Sequence, residues 1–64
     1  MTVGEKIRKR RQAKGITMQD AASKAGMSIA TLGAIERGKV DNPHLSTLDR
    51  IARVLACKVA DLID

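Results

Sequence analysis

The stretch AGMSIATLGAIERGK at residues 25–39 decides how this chain folds. Gly26 suits the left-handed backbone conformation in which many helices end, and Ser28 is a residue type that caps the beginning of the next helix. Leu32 and Ile35 are three residues apart, so they share the face of that helix that points to the core. The opposite face then carries only small or apolar side chains, those of Ile29, Ala30, Gly33 and Ala34. A helix of this kind raises the question of what its outward face contacts.

Helix signals also precede and follow this stretch, and no segment alternates polar and apolar residues as a strand does. Thr2 and Glu5 fit a capping box, in which each side chain bonds the backbone N–H of the other residue. Lys58 stands where the last helix needs a cap, so that helix should fray. The sequence predicts an all-α, compact five-helix domain. Its helices run from about Val3 to before Gly15, between the caps Thr17 and Gly26, from Ser28 to about Arg37, over 45–55 and over 59–63.

Composition excludes several classes of protein. The 64 residues suffice for a single domain, residues 1–64, and its core must be aliphatic because Phe, Tyr and Trp are absent. That absence disfavours a single-strand nucleic-acid binder, which stacks bases on aromatic rings. One cysteine, Cys57, and one histidine, His44, allow neither a disulfide nor a metal site of several soft ligands. Without a nucleophile–base pair or a carboxylate pair, we expect neither an enzyme nor a cofactor. Cysteine usage favours a cytoplasmic location, and no segment predicts a signal peptide or a membrane span.

The net charge of +5 lies on the first helix. Residues 1–14 contain six basic residues and one acidic residue, whereas residues 15–64 are balanced. A basic stripe on one helix is typical of a surface that contacts phosphate groups or another anionic surface. The alternative is a solvated helix face without a ligand.

The two central helices have the spacing of a helix-turn-helix. Ala22 is followed four residues later by Gly26, and Leu32 and Ile35 follow that glycine six and nine residues later. Two helices that cross steeply come close near Ala22, which requires a small side chain there, and the turn between them requires a positive φ at Gly26. A helical hairpin that binds nothing is the alternative interpretation.

Several short motifs, taken together, resemble the phage-repressor and Cro-like helix-turn-helix regulators, also called the xenobiotic-response-element family. The motifs are Ile7-Arg8-Lys9-Arg10-Arg11, Lys14-Gly15-Ile16-Thr17, Lys24-Ala25-Gly26-Met27-Ser28, Ile35-Glu36-Arg37-Gly38-Lys39, Asn42-Pro43 and Leu48-Asp49-Arg50-Ile51-Ala52. The resemblance covers nearly the whole chain. It implies a lambda-repressor-like fold and a transcriptional regulator, a repressor, that binds a two-fold-symmetric double-stranded DNA site as a homodimer with its third helix in the major groove.

The resemblance also implies roles for individual residues. The family's base-reading positions fall on Ser28, Ile29, Ala30, Thr31 and Ala34. Its phosphate-contacting positions fall on Arg11, Thr17, Met18, Arg37, Lys39, Asn42 and His44. A structural ion pair of the family falls on Arg11 and Glu36. The residues themselves support this pair, because Arg11 follows Ile7 by four positions and so faces inward, where a guanidinium needs an acceptor.

Some residues depart from the family pattern. Met18 replaces a glutamine that braces the third helix, Ala21 replaces a core leucine, and Arg10 replaces a leucine, so that Arg10 should extend toward solvent. Polar base readers are replaced by Ala30, Gly33 and Ala34. Such a helix can still read DNA, because Ile29 and Ala34 can contact thymine methyl groups and because DNA shape carries information.

Two functions therefore remain open. The first is a sequence-specific DNA-binding regulator. The second is a protein-interaction module of the same fold, antitoxin-like or partner-binding, whose apolar third helix touches protein. Binding through several phosphates weakens steeply with salt, whereas an apolar protein contact does not, so salt dependence separates the two.

Overall fold

The computed structural model describes residues 1–40 and 42–63, and within them every regular element is helical. Helix α1 spans Val3–Ala13, α2 Met18–Ala25, α3 Ile29–Glu36 and α4 Leu45–Val54, and a 3-10 turn follows at Val59–Asp61. The all-α prediction is confirmed. Asp41, in the predicted loop before the fourth helix, and Asp64, at the end of the predicted domain, lie outside the described residues.

The last predicted helix, over 59–63, is a single 3-10 turn rather than an α-helix. Lys58 offers no side-chain cap, as predicted, but its backbone N–H donates to Asp61 Oδ2 at 3.0 Å. Leu62, which follows the turn, is completely buried in the core. The chain thus bends into the core after three residues, too early to complete an α-helical turn, and the two contacts replace the expected fraying with a closed turn.

The predicted helix starts are confirmed at the first three helices. In the capping box, the Glu5 N–H donates to Thr2 Oγ1 and the Thr2 N–H donates to Glu5 Oε1, both at 3.1 Å. Glu5 Oε1 also accepts the Thr2 hydroxyl at 3.1 Å, and the two bonds that this carboxylate oxygen accepts from Thr2 lower the pKa of the Glu5 carboxyl. Thr17 and Ser28 begin α2 and α3 in the same way, each accepting a backbone N–H three residues later. His44 precedes α4 without a side-chain cap and is exposed to solvent.

The turn between α2 and α3 depends on one glycine and one alanine. Gly26 has φ +70°, a conformation that costs an L-residue about 1–2 kcal/mol, and it ends α2. The Met27 N–H then donates to the Ala22 carbonyl at 2.9 Å, which closes the end of the helix. Ala22 is only 1% exposed. The helix-turn-helix spacing read from the sequence is therefore present in the fold.

The core is aliphatic and built from α1 to α4 and the chain after them. Its buried side chains are Ile7, Ala21, Ala22, Ala25, Leu32, Ile35, Leu48, Ile51, Ala52, Leu55 and Leu62. Ala21, where the family has leucine, borders a small cavity of about 10 Å³ together with Ile7, Leu32 and Leu55. That volume is about the space of one water molecule. The side chains around Ala21 thus fill most, but not all, of the space that a leucine at position 21 would occupy.

Helix α1 approaches the end of α3 so closely that position 4 requires glycine. A Cβ atom on Gly4 would overlap the carbonyl oxygen of Ile35 and lie 2.9 Å from that of Glu36. Both are backbone atoms, which cannot rotate away as a side chain can. Because Gly4 lies in the first turn of α1, this contact holds that turn against the last turn of α3.

We expect Gly4→Ala to destabilise the fold, although alanine is the better helix former. Helix propensity favours alanine by about 1 kcal/mol, whereas forcing a methyl group into a packed contact costs about 1–3 kcal/mol. Because backbone must move here, the net free energy of unfolding should fall by about 2 kcal/mol in urea denaturation followed by circular dichroism.

The matched control is Gly33→Ala, at the other helical glycine. A Cβ there would meet only the far ends of two flexible side chains, those of Arg37 and Met18. This variant should be neutral or more stable by up to about 1 kcal/mol. Equal stability of the Gly4→Ala variant and the parent protein would contradict the close approach of α1 to α3.

Candidate nucleic-acid interface

The outward face of α3 brings the predicted base-reading residues together. Ile29 is 48% exposed, Ala30 and Thr31 are exposed, and Ala34 is half-buried. Ser28 begins the helix, and its hydroxyl donates to Thr31 Oγ1 at 2.9 Å. Because Thr31 Oγ1 accepts this bond, the hydrogen of the Thr31 hydroxyl can still be donated outward. The remaining surface of these residues is methyl groups and aliphatic carbon, which offers no forked donor to a base edge.

Gly33 is buried, contrary to the prediction that it lies on the outward face. A Cβ on Gly33 would lie 3.2 Å from Met18 Cε and 3.0 Å from Arg37 Nη1. Two side chains therefore cover the glycine, that of Met18 from α2 and that of Arg37 from the end of α3. The physical reason is the lean of a helical side chain toward the preceding turn, which carries the guanidinium of Arg37 back over the residue four positions earlier.

The predicted phosphate-contacting residues lie at two places around α3. Thr17 and Met18 form the first turn of α2, where Thr17 is exposed and Met18 is half-buried against the core. Exposed side chains at the end of α3 and in the following loop are those of Arg37, Lys39, Asn42 and His44. The free N–H groups of a helix N-terminus and exposed cations both suit an anion.

Arg11 and Glu36 form the predicted ion pair, and its geometry is bidentate. Arg11 Nε donates to Glu36 Oε2 at 2.8 Å, and Nη2 donates to Oε1 at 3.1 Å. Nη1 donates to the Ile16 carbonyl at 2.9 Å. The two side chains are 12% and 5% exposed. The hydrogen bonds to Glu36 raise the pKa of Arg11, so the guanidinium is charged at every pH at which the protein is folded.

Arg8 is a member of this surface that the sequence analysis missed. It lines a cleft of about 330 Å³ with Arg11, Met18, Gly33, Glu36 and Arg37. Glu36 is already paired with Arg11, so the cleft keeps the positive charges of Arg8 and Arg37. The signal was available, because Arg8 precedes Arg11, a predicted interface residue, by three positions and so lies on the same flank of α1. Two cations around one cleft make it a candidate anion site.

The basic residues of α1 are divided between two faces and do not form a single stripe. Lys6, Lys9 and Arg10 border a different surface, which they share with Met1, Ala13 and Asp61 beside the 3-10 turn. Arg10 is exposed, as predicted. Successive residues of an α-helix are rotated by about 100°, so neighbouring cations in the sequence must separate in space. Only part of the +5 charge therefore lies next to α3.

Other kinds of site find little support in the part of the chain that the structure describes. Residues 1–40 and 42–63 contain no group of three or more His, Cys, Asp or Glu side chains that could hold a metal ion. Burial raises the pKa of the half-buried Cys57 thiol, which lowers its reactivity. No described helix is both long enough and apolar enough to cross a membrane.

The fold and this interface define a helix-turn-helix protein. The sequence profile of the Helix-turn-helix family matches residues 7–62, so the chain belongs to that family. It is 34% identical to the HTH-type transcriptional regulator SinR of Bacillus subtilis (strain 168), over 97% of this chain and 56% of SinR. It is 38% identical to the immunity repressor protein of Bacillus phage phi105, over 98% of this chain and 43% of that repressor. These relatives are regulators of transcription and not enzymes.

Comparison of structures agrees with the sequence relatives. The crystal structure of SinR, the master regulator for biofilm formation, in complex with DNA superposes with a TM-score of 0.94 at 33% identity, covering 98% of this chain and all of that one. This chain spans about half the length of the curated relatives that it matches.

We expect Glu36→Gln to lower the free energy of unfolding by about 1–3 kcal/mol, because the buried Arg11 guanidinium loses a charged acceptor. Denaturation in urea measures this. The control is Asp49→Asn, which breaks the exposed pair of Asp49 with Arg53, where the two atoms are 3.1 Å apart and the side chains are 50% and 80% exposed. Exposed pairs are worth about 0–1 kcal/mol, so the control should change little. Equal effects of the two variants would contradict a structural role for the Arg11–Glu36 pair.

Proposed function

We propose that this chain is a single helix-turn-helix domain that binds double-stranded DNA sequence-specifically and acts as a transcriptional repressor. The observation that carries the proposal is the outward face of α3, which stands between the first turn of α2 and the exposed cations that follow α3. An α-helix fits the major groove of B-DNA, and phosphate contacts on both sides of it fix its depth and register. The likeness to SinR, whose structure was solved in complex with DNA, supports DNA binding.

In this proposal α3 enters the major groove and its residues divide into two sets. The base-contacting set is Ser28, Ile29, Ala30, Thr31 and Ala34. The phosphate-contacting set inferred from the family is Arg11, Thr17, Met18, Arg37, Lys39, Asn42 and His44, and the cleft adds Arg8 to it. We also propose a cytoplasmic location for this regulator.

We further propose a homodimer on a two-fold-symmetric site. Leu45 at the start of α4 is 70% exposed, more than the other large hydrophobic side chains of the described residues. An apolar side chain held in water at this level is stabilised by contact with a second copy. The contact surface we propose includes Leu45, the loop before α4 and the region of Lys58. Each copy supplies one α3, so the half-sites lie about 34 Å apart, one turn of B-DNA.

The test of the function is selection of bound duplexes from random DNA, followed by sequencing. We expect a two-fold-symmetric consensus whose half-sites are about one helical turn apart. A consensus with one half-site would remove the dimer and keep the DNA-binding function. Failure to enrich any sequence would contradict sequence-specific binding.

A protein-interaction module is the second candidate, and the exposed Ile29 and Leu45 favour it. Salt dependence separates the two functions. A DNA-bound dimer with about three phosphate contacts per subunit should show a slope of log K against log salt near −5. A slope flatter than about −2 would favour the protein-interaction module.

The division of charge on α1 makes a sharper prediction. Arg8→Gln and Lys9→Gln remove the same charge from adjacent exposed positions, but only Arg8 borders the cleft beside α3. We expect Arg8→Gln to weaken DNA binding and to flatten the salt slope by about 0.9 for each lost phosphate contact, and Lys9→Gln to leave the slope unchanged. Fluorescence anisotropy of a labelled duplex over a range of salt measures both. Equal losses in the two variants would mean that net charge, and not the cleft, determines affinity.

A further inference from the structure

Arg37 is the one charged side chain on the outward face of α3 and its C-cap. Ala30, Ala34 and Arg37 are spaced at four and three residues, so they lie on the same side of the helix. The first two are alanines, and Arg37 is exposed. A forked donor, which the rest of this face does not offer, is therefore available from the end of the helix.

The guanidinium of Arg37 packs in a defined position over Gly33. A Cβ on Gly33 would lie 3.0 Å from Nη1 and 3.7 Å from Cζ of Arg37, so the guanidinium occupies the space that a side chain at position 33 would otherwise fill. Met18 Cε also covers this glycine and lies 3.2 Å from the position that the added Cβ would take. Because the Arg37 side chain points back toward residue 33, its charge lies about one helical turn, 5.4 Å, closer to the middle of α3.

The donors of Arg37 are free for a ligand, in contrast to those of Arg11. Three N–H groups of Arg11 donate to Glu36 and Ile16. Within residues 1–40 and 42–63, the Arg37 side chain has no hydrogen bond or ion pair of its own. Packing alone therefore holds the guanidinium in place, and its polar edge stays open to solvent or a ligand.

We propose, on the basis of the DNA-binding function above, that Arg37 reads a guanine in the major groove and that Gly33 is the residue that positions it. Guanine presents O6 and N7 as two acceptors, and the arginine fork bonds both. The small side chains of Ala30 and Ala34 let the helix backbone approach the bases, so an arginine lying back along the helix over Gly33 reaches them. This assignment moves Arg37 from the phosphate-contacting set to the base-contacting set.

The experiment begins with the consensus selected by the parent protein and compares two variants of it. Arg37→Met keeps most of the length of the side chain and removes every N–H donor. Gly33→Ala keeps Arg37 and adds a Cβ that displaces its guanidinium. We expect each half-site to contain one G·C pair at which the parent discriminates by about tenfold or more, and we expect both variants to lose most of that discrimination. Discrimination at the other base pairs should remain, which shows that the variants are folded and still bind.

A modified duplex tests the contact atom directly. Replacing the guanine by 7-deazaguanine removes the N7 acceptor and leaves base pairing intact. Binding of the parent protein should fall several-fold, and binding of Arg37→Met should be indifferent to the replacement, because this side chain has no donor for N7.

Three results would overturn the inference. One is a parent consensus without a G·C pair opposite α3. Another is an Arg37→Met variant that discriminates as the parent does. The third is a loss of affinity in Arg37→Gln that is uniform across all sequences with a salt slope reduced by about 1, which is the behaviour of a phosphate contact. In the second and third cases the DNA-binding function stands. Failure of the parent to select any sequence removes both proposals together.

Discussion

The bidentate ion pair between Arg11 and Glu36 is the constraint on which the rest of the interface depends. Two parallel N–H···O bonds fix the orientation of α1 relative to α3 as well as their distance. The third bond, to the Ile16 carbonyl, ties the segment before α2 to the same guanidinium. Desolvation offsets much of the attraction in a buried pair. The Arg11–Glu36 pair therefore acts mainly by fixing the positions of three segments, which meet at the Arg11 side chain. The cleft lies around this side chain.

Much of this arrangement could be predicted because it is encoded locally. Thr2, Thr17 and Ser28 begin helices through hydrogen bonds that reach three residues along the chain. Gly26 ends α2 through its own backbone preference. The inward direction of Arg11 follows from its spacing to Ile7 along one helix. Each of these features is decided within about one helical turn, and a sequence shows such distances directly.

The features that sequence analysis missed depend on contacts between distant segments. The need for glycine at position 4 arises from carbonyl oxygens at the end of α3, and nothing near Gly4 in the sequence indicates them. The burial of Gly33 arises from two side chains that fold over it, one of them from α2. The last helix shortens to a 3-10 turn because Leu62 reaches the core first. The roles of Arg8, Arg37 and the base-contacting residues stay predictions, because such roles depend on contacts with a second molecule.

The close packing of α3 against α1 also limits how freely α3 could be exchanged. A segment covering 28–37 from another regulator would end against Gly4 and would have to present a carboxylate to Arg11. The residue it brings to position 33 would decide whether the arginine at its end lies back along the helix or points away. The conformation of α3 in this protein therefore depends on neighbouring residues from α1 and α2, and a contiguous string of ten residues does not determine it alone.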